Sequence, residues 1–505
     1  DPVLFQQQNP SAEVIIPTIP LIEFKESHKV VMKTVNSAMD FNYTESNGDV
    51  VWVLANNPND NRIFSGSGND TIIGGVAVDT VFAGDGNDTV LGMRGNDVLD
   101  GGLGNDTLVG GLGVDSLIGG AGIDTIEYSD LNYDIAVDLG NLNSGFATLT
   151  IDVNGPNTER DYIAEVENIN TGGGTDVIRG NDSDNIINTG LGNDTLRASL
   201  GADTLDGQGG NDTVDFSTIG SSVSNIQLTL NGASDATVTV NGGQAQVVRN
   251  IENVIGTNGA DIITGDSLSN RIDGGAGNDT LAGRGGADTL IGNSGNDTVT
   301  YANAAGFVNV DLSANAASND GDGSSDVLLT IENIVGSGFA DVLVGDDNVN
   351  IIDGGLGADT ISSRGGNDTI LASAGADIID GQVGSDTIDY SVLAGATSIN
   401  VTLNGGTNAT VTVGGGTNQT IRNVENIIGT TGNDVIIGDS ADNILRGLGG
   451  NDTLAGFGGN DTLDGGAGTD TVDYSLSTSG LTLDMLTGVV ADDGNGGQDT
   501  LISIE

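Results

Sequence analysis

One apolar side chain returns at every ninth position through the first repetitive stretch of the chain: Ile72, Val81, Val90, Leu99, Leu108, Leu117 and Ile126. Between these positions lie mostly glycine, asparagine and aspartate. Six residues so rich in glycine hold neither a helix nor a strand, but they form a turn with several residues at positive φ. The three that follow, as in Thr107-Leu108-Val109, have room for a short strand whose middle side chain points inward while its neighbours point out. Two such units make one rung of a flattened right-handed solenoid, with rungs stacked about 4.8 Å apart. Residues nine apart then alternate between the two edges, and residues eighteen apart lie above one another. A flexible glycine and aspartate spacer would hold no apolar residue at a fixed phase.

The phrase is clearest from Gly101 to Asp124, which reads GGLGNDTLV, GGLGVDSLI, GGAGID. Its aspartates are Asp70, Asp79, Asp88, Asp97, Asp106, Asp115 and Asp124. Four later blocks keep the phase. The second has Asp176, Asn185, Asp194, Asp203 and Asp212, and the third Asp261, Asn270, Asp279, Asp288 and Asp297. The fourth has Asp341, Asn350, Asp359, Asp368, Asp377 and Asp386, and the fifth Asp434, Asn443, Asp452, Asp461 and Asp470. Stacked carboxylates with no lysine nearby repel one another, so a cation between them is expected. Donors that are all oxygen, carboxylates and turn carbonyls, suit Ca²⁺ with six to eight ligands at about 2.3–2.6 Å. Mg²⁺ asks for a tighter octahedron, and Zn²⁺ for Cys or His, of which the chain has none and one. The aspartates named here are therefore the expected calcium ligands, holding on the order of 20 ions. Where asparagine replaces aspartate (Asn185, Asn270, Asn350, Asn443), the lower charge predicts a weaker ion or none.

Over roughly half of the chain this glycine-glycine-x-glycine-x-aspartate-x-apolar-x phrase resembles the RTX (repeats-in-toxin, haemolysin-type) calcium-binding nonapeptide family. The resemblance implies a β-roll with calcium in its turns. It also implies export of the unfolded chain from a bacterium through a type I secretion channel, with folding outside the cell. The fold class expected is thus all-β: a right-handed parallel β-roll or β-solenoid of tandem modules, with an N-terminal β cap or assembly segment.

Length and charge sharpen this. A chain of 505 residues is too long for one compact core and comfortable as a linear array. The net charge of −57 argues against nucleic acid and anionic membrane as partners. No transmembrane run or signal peptide is seen, and the start at Asp1 suggests a processed or trimmed chain. Without cysteine, no disulfide holds the fold. Weak calcium sites fill only where calcium is plentiful, which predicts a secreted, extracellular or cell-surface location. At a hundred times Kd each site would contribute about 2.7 kcal/mol. Folding and binding are then one event, and a chelator, or acid strong enough to protonate the carboxylates, is expected to unmake the strands.

Along the chain, residues 1–60 stand apart. They hold Trp52, His28 and apolar runs such as Val50-Val51-Trp52-Val53-Leu54. They read as a cap over the open end of the solenoid or as a strand that adds to a neighbouring subunit. Five modules follow, 61–167, 168–252, 253–332, 333–425 and 426–505, the last truncated or continuing. Each carries a nonapeptide block, a closing aromatic (Tyr128, Phe216, Tyr301, Tyr390, Tyr474) and an insert of strand-like alternation. The inserts end on a shared phrase, as in Val166-Glu167-Asn168, Ile251-Glu252-Asn253, Ile331-Glu332-Asn333 and Val424-Glu425-Asn426. The second and fourth inserts resemble each other, while the third and fifth share an Asp/Gly loop before Asp326 and Asp499. The inserts are expected to continue the solenoid as wider rungs. The aromatics fit a lid over the narrow core better than a sugar-stacking platform.

No catalytic constellation emerges. Gly265-Asp266-Ser267-Leu268 spells a hydrolase word, yet it falls in nonapeptide phase and the sole histidine lies far away in sequence. The expectation is a non-enzymatic protein: an extracellular, calcium-stiffened rod that self-associates end to end through its N-terminal segment into a filament, sheath or S-layer-like coat. Cell-surface polysaccharide is a further candidate partner. The alternative is the calcium-binding repeat region of a larger secreted RTX toxin, hydrolase or adhesin whose active domain lies outside this chain.

Overall fold

Strands form wherever the nonapeptide places an apolar residue between two outward neighbours, and turns form wherever it places glycine. The protein is accordingly an all-β roll of short, mainly parallel strands. Its computed structural model describes residues 29–32, 39–42, 49–53, 58–140, 147–148, 150–152, 158–220 and 222–505. Two compact units result: Asp1–Ser224 with Leu230–Ile255, and Asn225–Thr229 with Gly256–Glu505.

In the first unit the pairing register is eighteen, as two nonapeptides per rung require. One sheet stacks Ile72, Val90, Leu108 and Ile126, and the opposite sheet stacks Ile63, Val81, Leu99 and Leu117. All eight are 0% exposed. The core is the narrow space between these columns, and each such side chain contributes about 1.5–3 kcal/mol by leaving water. The strands Lys29–Met32, Met39–Asn42 and Val50–Val53 pair in parallel with the rungs that follow, and Trp52 faces Ile72. Residues 1–28 of the expected cap or assembly segment lie outside the described residues, as do 33–38, 43–48 and 54–57.

The second unit repeats the pattern over a longer column. Leu281, Val299, Ile334, Ile352, Ile370, Ile388, Ile427, Leu445, Leu463 and Leu501 pair in succession along one sheet. The inserts join the sheets, but not simply as wider rungs. In the third, Asp326–Leu329 pairs in parallel with Thr289–Ile291, and Asn309–Asp311 with Val342–Val344. Between them Ala316–Asn319 runs antiparallel to both insert strands. The fourth insert does the same with Ala409–Gly414. A chain that leaves one rung and re-enters another in the same direction must reverse twice, and the antiparallel strand is that double reversal.

The aromatics close the core. Tyr128, Phe216, Tyr301 and Tyr390 are at most 4% exposed, which leaves no ring face for a sugar; Tyr474 is half-buried.

Candidate metal centre

Each aspartate of the repeat sits just before its strand, at the end of a turn, and its side chain folds back under the turn. All twenty-four expected ligands are at most 2% exposed. Their first oxygen has a fixed task. The backbone N–H of Asp70, Asp88 and Asp106 donates to Oδ1 of Asp88, Asp106 and Asp124, at 2.7, 2.8 and 2.8 Å. On the other edge Asp79 and Asp97 donate to Asp97 and Asp115, both at 2.8 Å. The later blocks repeat this hand-over, Asp176 to Asp194 to Asp212, Asp261 to Asp279 to Asp297, Asp341 to Asp359 to Asp377, Asp368 to Asp386, and Asp434 to Asp452 to Asp470. Asp203, Asp288, Asp368 and Asp461 accept in the same way from Asn185, Asn270, Asn350 and Asn443. Two ladders of carboxylate-to-amide bonds therefore follow the turns, one along each edge.

The second oxygen is another matter. Oδ2 of Asp88, Asp97, Asp106 and Asp124 is buried with no hydrogen-bond partner among the described residues, and so are those of Asp176, Asp194, Asp212, Asp279, Asp288, Asp297, Asp359, Asp368, Asp386, Asp452, Asp461 and Asp470. A buried carboxylate oxygen without a donor is costly unless a cation faces it. Burial, reinforced by the neighbouring carboxylates, pushes the Asp97 carboxyl up to about 8 and that of Asp88 up to about 7. The same cause lifts Asp212, Asp279, Asp288, Asp359, Asp386 and Asp461 to about 7, and Asp124, Asp176 and Asp452 to about 6.

The space beside these oxygens is kept open by glycine. A methyl group on Gly92 would lie 2.5 Å from Asp97 Oδ2 and 2.7 Å from the carbonyl oxygen of Gly110, one rung on. A carboxylate oxygen and a turn carbonyl thus converge on a cradle that only glycine leaves free. Gly104, at φ +125°, could carry no side chain either, because a Cβ would run into the Gly86 carbonyl. Among the described residues no three His, Cys, Asp or Glu side chains gather as a metal cage. Any ion here is held by carboxylates together with main-chain carbonyls, the hard oxygens that calcium takes.

The sequence profile described as "RTX calcium-binding nonapeptide repeat (4 copies)" matches residues 56–90, 91–126, 165–196, 189–217, 264–299, 330–361, 362–391, 423–454 and 437–472, more than half of the chain. The chain belongs to this family. Its repeats are those of a calcium-binding family, and the orphaned Oδ2 atoms are the oxygens that would hold such an ion. Among solved structures, the chain is similar to a hyperactive, Ca²⁺-dependent, β-helical antifreeze protein from an Antarctic bacterium, at 13% identity over 85% of this chain and 83% of that one, with a TM-score of 0.11. No curated protein sequence matches it.

Within this RTX roll the expected ligands fall into two groups. Besides the aspartates with a spare oxygen, six have Oδ2 satisfied from within the chain. Asp79 accepts there from the Gly75 N–H at 2.5 Å, and Asp261, Asp341 and Asp434 from the N–H of Thr257, Ser337 and Thr430 at 2.6 Å. Asp203 accepts from Ser199 Oγ and Gln246 Nε2, and Asp377 from Ser373 Oγ and Gln419 Nε2. The asparagines are likewise satisfied from within the chain. Asn185, Asn350 and Asn443 donate their side-chain amide to the carbonyls of Glu167, Glu332 and Glu425, each at 2.8 Å. The amide thus faces the ladder side, while Oδ1 lies where the aspartates turn Oδ2 and accepts the N–H of Asn181, Asp346 and Asp439, each at 2.9 Å.

Those glutamates are ladder members too. Glu167, Glu252, Glu332, Glu425 and Glu505 accept the N–H of Asp124, Asp212, Asp297, Asp386 and Asp470 at 2.8–2.9 Å. Each extends its ladder by one step, into the closing phrase of the insert. The signal was present in the shared phrase, since Glu167-Asn168-Ile169 is acid-x-apolar, the tail of a nonapeptide. Asp161, Asp326 and Asp499 have the same tail and do the same, accepting from Asp115, Asp288 and Asp461 through Oδ1. Their Oδ2 accepts from the hydroxyls of Tyr128, Tyr301 and Tyr474 at 2.8, 2.9 and 2.7 Å. The closing tyrosine therefore caps a carboxylate as well as the core.

Proposed function

We propose that the protein is a secreted, extracellular structural protein: a calcium-stabilised roll that joins further copies of itself into a filament, sheath or surface coat and performs no catalysis. One surface carries the reading. In the third insert Val308 and Val310 are 0% exposed and Leu312 is 5% exposed. They are buried because the strand Val342–Val344 of the next block covers Asn309–Asp311, while the Val308 N–H donates to Asp341 Oδ1 at 2.7 Å. The fifth insert repeats the row as Leu481, Leu483 and Met485, and there the same positions are 43, 38 and 47% exposed, with Leu486 beside them at 95%. An apolar row of this kind draws a partner strand. The partner that suits it is a nonapeptide rung led in by an aspartate, which a following block of the same chain or a second copy would equally supply, and the proposal takes the second copy. The contact would continue the insert-to-block pairing that the chain already makes with itself.

The serine of Gly265-Asp266-Ser267-Leu268 lies in a nonapeptide turn, where the Asp266 N–H donates to Asn270 and the Leu268 N–H to Asp266. No helix among the described residues is long and apolar enough to cross a membrane. In a coat, cell-surface polysaccharide is the partner such an assembly would meet. Electron microscopy and light scattering in millimolar calcium and in chelator test the proposal. Polymers are expected with calcium, and Leu483→Asp should abolish them while keeping the circular dichroism of the roll. Particles of single-chain mass at saturating calcium would reject self-assembly and favour the repeat region of a larger secreted protein.

A further inference from the structure

The second-to-last aspartate of a block meets the insert rather than another nonapeptide, and the chain closes that position in two ways. In the second and fourth modules the residue is Asp203 or Asp377. A serine four residues back and a glutamine from the insert, Gln246 or Gln419, satisfy Oδ2. In the third and fifth modules it is Asp288 or Asp461, and Oδ2 has no partner among the described residues. The ladder aspartate opposite offers nothing further, since Asp326 has both oxygens engaged, by the Asp288 N–H and by Tyr301. Asp499 is engaged likewise by Asp461 and Tyr474.

What these two inserts bring instead is the loop Asp320-Gly321-Asp322-Gly323-Ser324 and its counterpart Asp493-Gly494-Asn495-Gly496-Gly497. Oδ1 of Asp320 accepts from the N–H of Asp322, Gly323 and Ser324 at 2.8, 2.9 and 2.9 Å. Oδ1 of Asp493 accepts from Asn495, Gly496 and Gly497 at 2.8, 2.8 and 2.9 Å. Three amides on one oxygen fix the carboxylate and leave the other oxygen free to face elsewhere. Asp320 is 0% and Asp493 1% exposed, and in both Oδ2 is buried without a partner among the described residues. The loops lie against the turns of the orphaned aspartates. A methyl on Gly285, in the turn leading to Asp288, would be 3.7 Å from Asp322 Cβ, and one on Gly458, leading to Asp461, 3.7 Å from Asn495 Cβ. Asn495 also donates to the Phe457 carbonyl at 2.5 Å. The charge of Asp326 and then that of Asp320 bears on Asp288, and that of Asp499 and then that of Asp493 on Asp461.

We propose that Asp320 with Asp288, and Asp493 with Asp461, each hold a calcium ion in a site of a second kind, formed by an insert loop against a nonapeptide turn. Each site pairs two fixed carboxylate oxygens with turn carbonyls, the all-oxygen set calcium requires. The two sites use no residue in common, so the arrangement is built twice. The Gln246 and Gln419 modules supply the contrast, because there an amide donor takes the place of the ion.

The test is the calcium count of the full chain by native mass spectrometry at saturating calcium. Asp320→Asn with Asp493→Asn keeps the oxygen that accepts the three amides and is expected to bind two fewer ions with an unchanged β spectrum. An unchanged count in a folded variant overturns the proposal. Should the variant fail to fold, anomalous scattering from calcium in crystals of the unaltered chain decides. A peak between Asp320 and Asp288, and another between Asp493 and Asp461, is the expected result, and their absence in a map that shows the nonapeptide ions refutes it.

Discussion

In the turns whose aspartate has a spare oxygen, a single atom decides the chemistry, Oδ2. Its partner Oδ1 already accepts the backbone N–H one rung earlier, which leaves Oδ2 as the oxygen without a protein donor, and glycine keeps the way to it clear. Gly92→Ala should therefore act through the ion. Its methyl would press on Asp97 Oδ2 and the Gly110 carbonyl, an overpacking cost of about 1–3 kcal/mol together with a loss of calcium affinity. Gly338→Ala is the control, because nothing lies within 4 Å of its added carbon and its backbone is not left-handed. Thermal unfolding at graded calcium should show Gly92→Ala destabilised and less responsive to calcium, with Gly338→Ala within about 0.5 kcal/mol of the parent. Equal melting temperatures would mean that the cradle has no part in binding.

At the level of elements, the closing tyrosines provide a matched pair. Tyr301 donates to Asp326 at 2.9 Å, whereas the Tyr390 hydroxyl is buried without a partner among the described residues. A hydrogen bond to a carboxylate contributes about 1.5–3 kcal/mol, and an unsatisfied buried hydroxyl costs about 1–3 kcal/mol. Tyr301→Phe should lower stability by about that amount. Tyr390→Phe should leave it unchanged or raise it, which urea unfolding in calcium reads directly; the reverse order would refute the lid geometry. The alternation of modules explains the difference, since Gln419 stands where the third insert has Asp326. This logic was only partly legible in the sequence. The nonapeptide announces itself because Leu108 and its equivalents recur at one spacing, and the inward column, the paired edges and the buried aspartates follow from that spacing alone. The inserts break the spacing. Gln246 reaches Asp203 over 43 residues and Glu167 reaches Asp124 over 43, distances that no local period encodes. Their acid-x-apolar tails were visible, yet their place in the ladder became plain only with the register. The antiparallel strand Ala316–Asn319 was hidden for a related reason, since alternation marks a strand but not its direction.

For the whole molecule, calcium and protons are rivals for the same oxygens, and that fixes the sign of the pH dependence. Burial raises the carboxyls of Asp88, Asp212, Asp279, Asp288, Asp359, Asp386 and Asp461 to about 7 and that of Asp97 to about 8. In the unfolded chain an aspartate titrates near 3.9. A group whose folded value lies higher stabilises the fold fully below the unfolded value, and loses that contribution as pH rises through the folded one. Without calcium the roll should therefore be most favoured near pH 4 and lose that contribution progressively as pH rises from there through about 7 to 8. With calcium saturating, the ion holds the carboxylates ionised, protons compete with it, and stability should instead fall toward acid. Acid alone thus unmakes the calcium-loaded roll by displacing its ions, and the same acid partly replaces them in the chelated chain by neutralising the ladders. Far-ultraviolet circular dichroism from pH 4 to 8, in excess calcium and in chelator, should give two stability curves of opposite slope that cross. A chelated chain whose strand signal is flat across that range, or falls toward acid as the loaded chain does, would show that the buried carboxylates are not what calcium compensates.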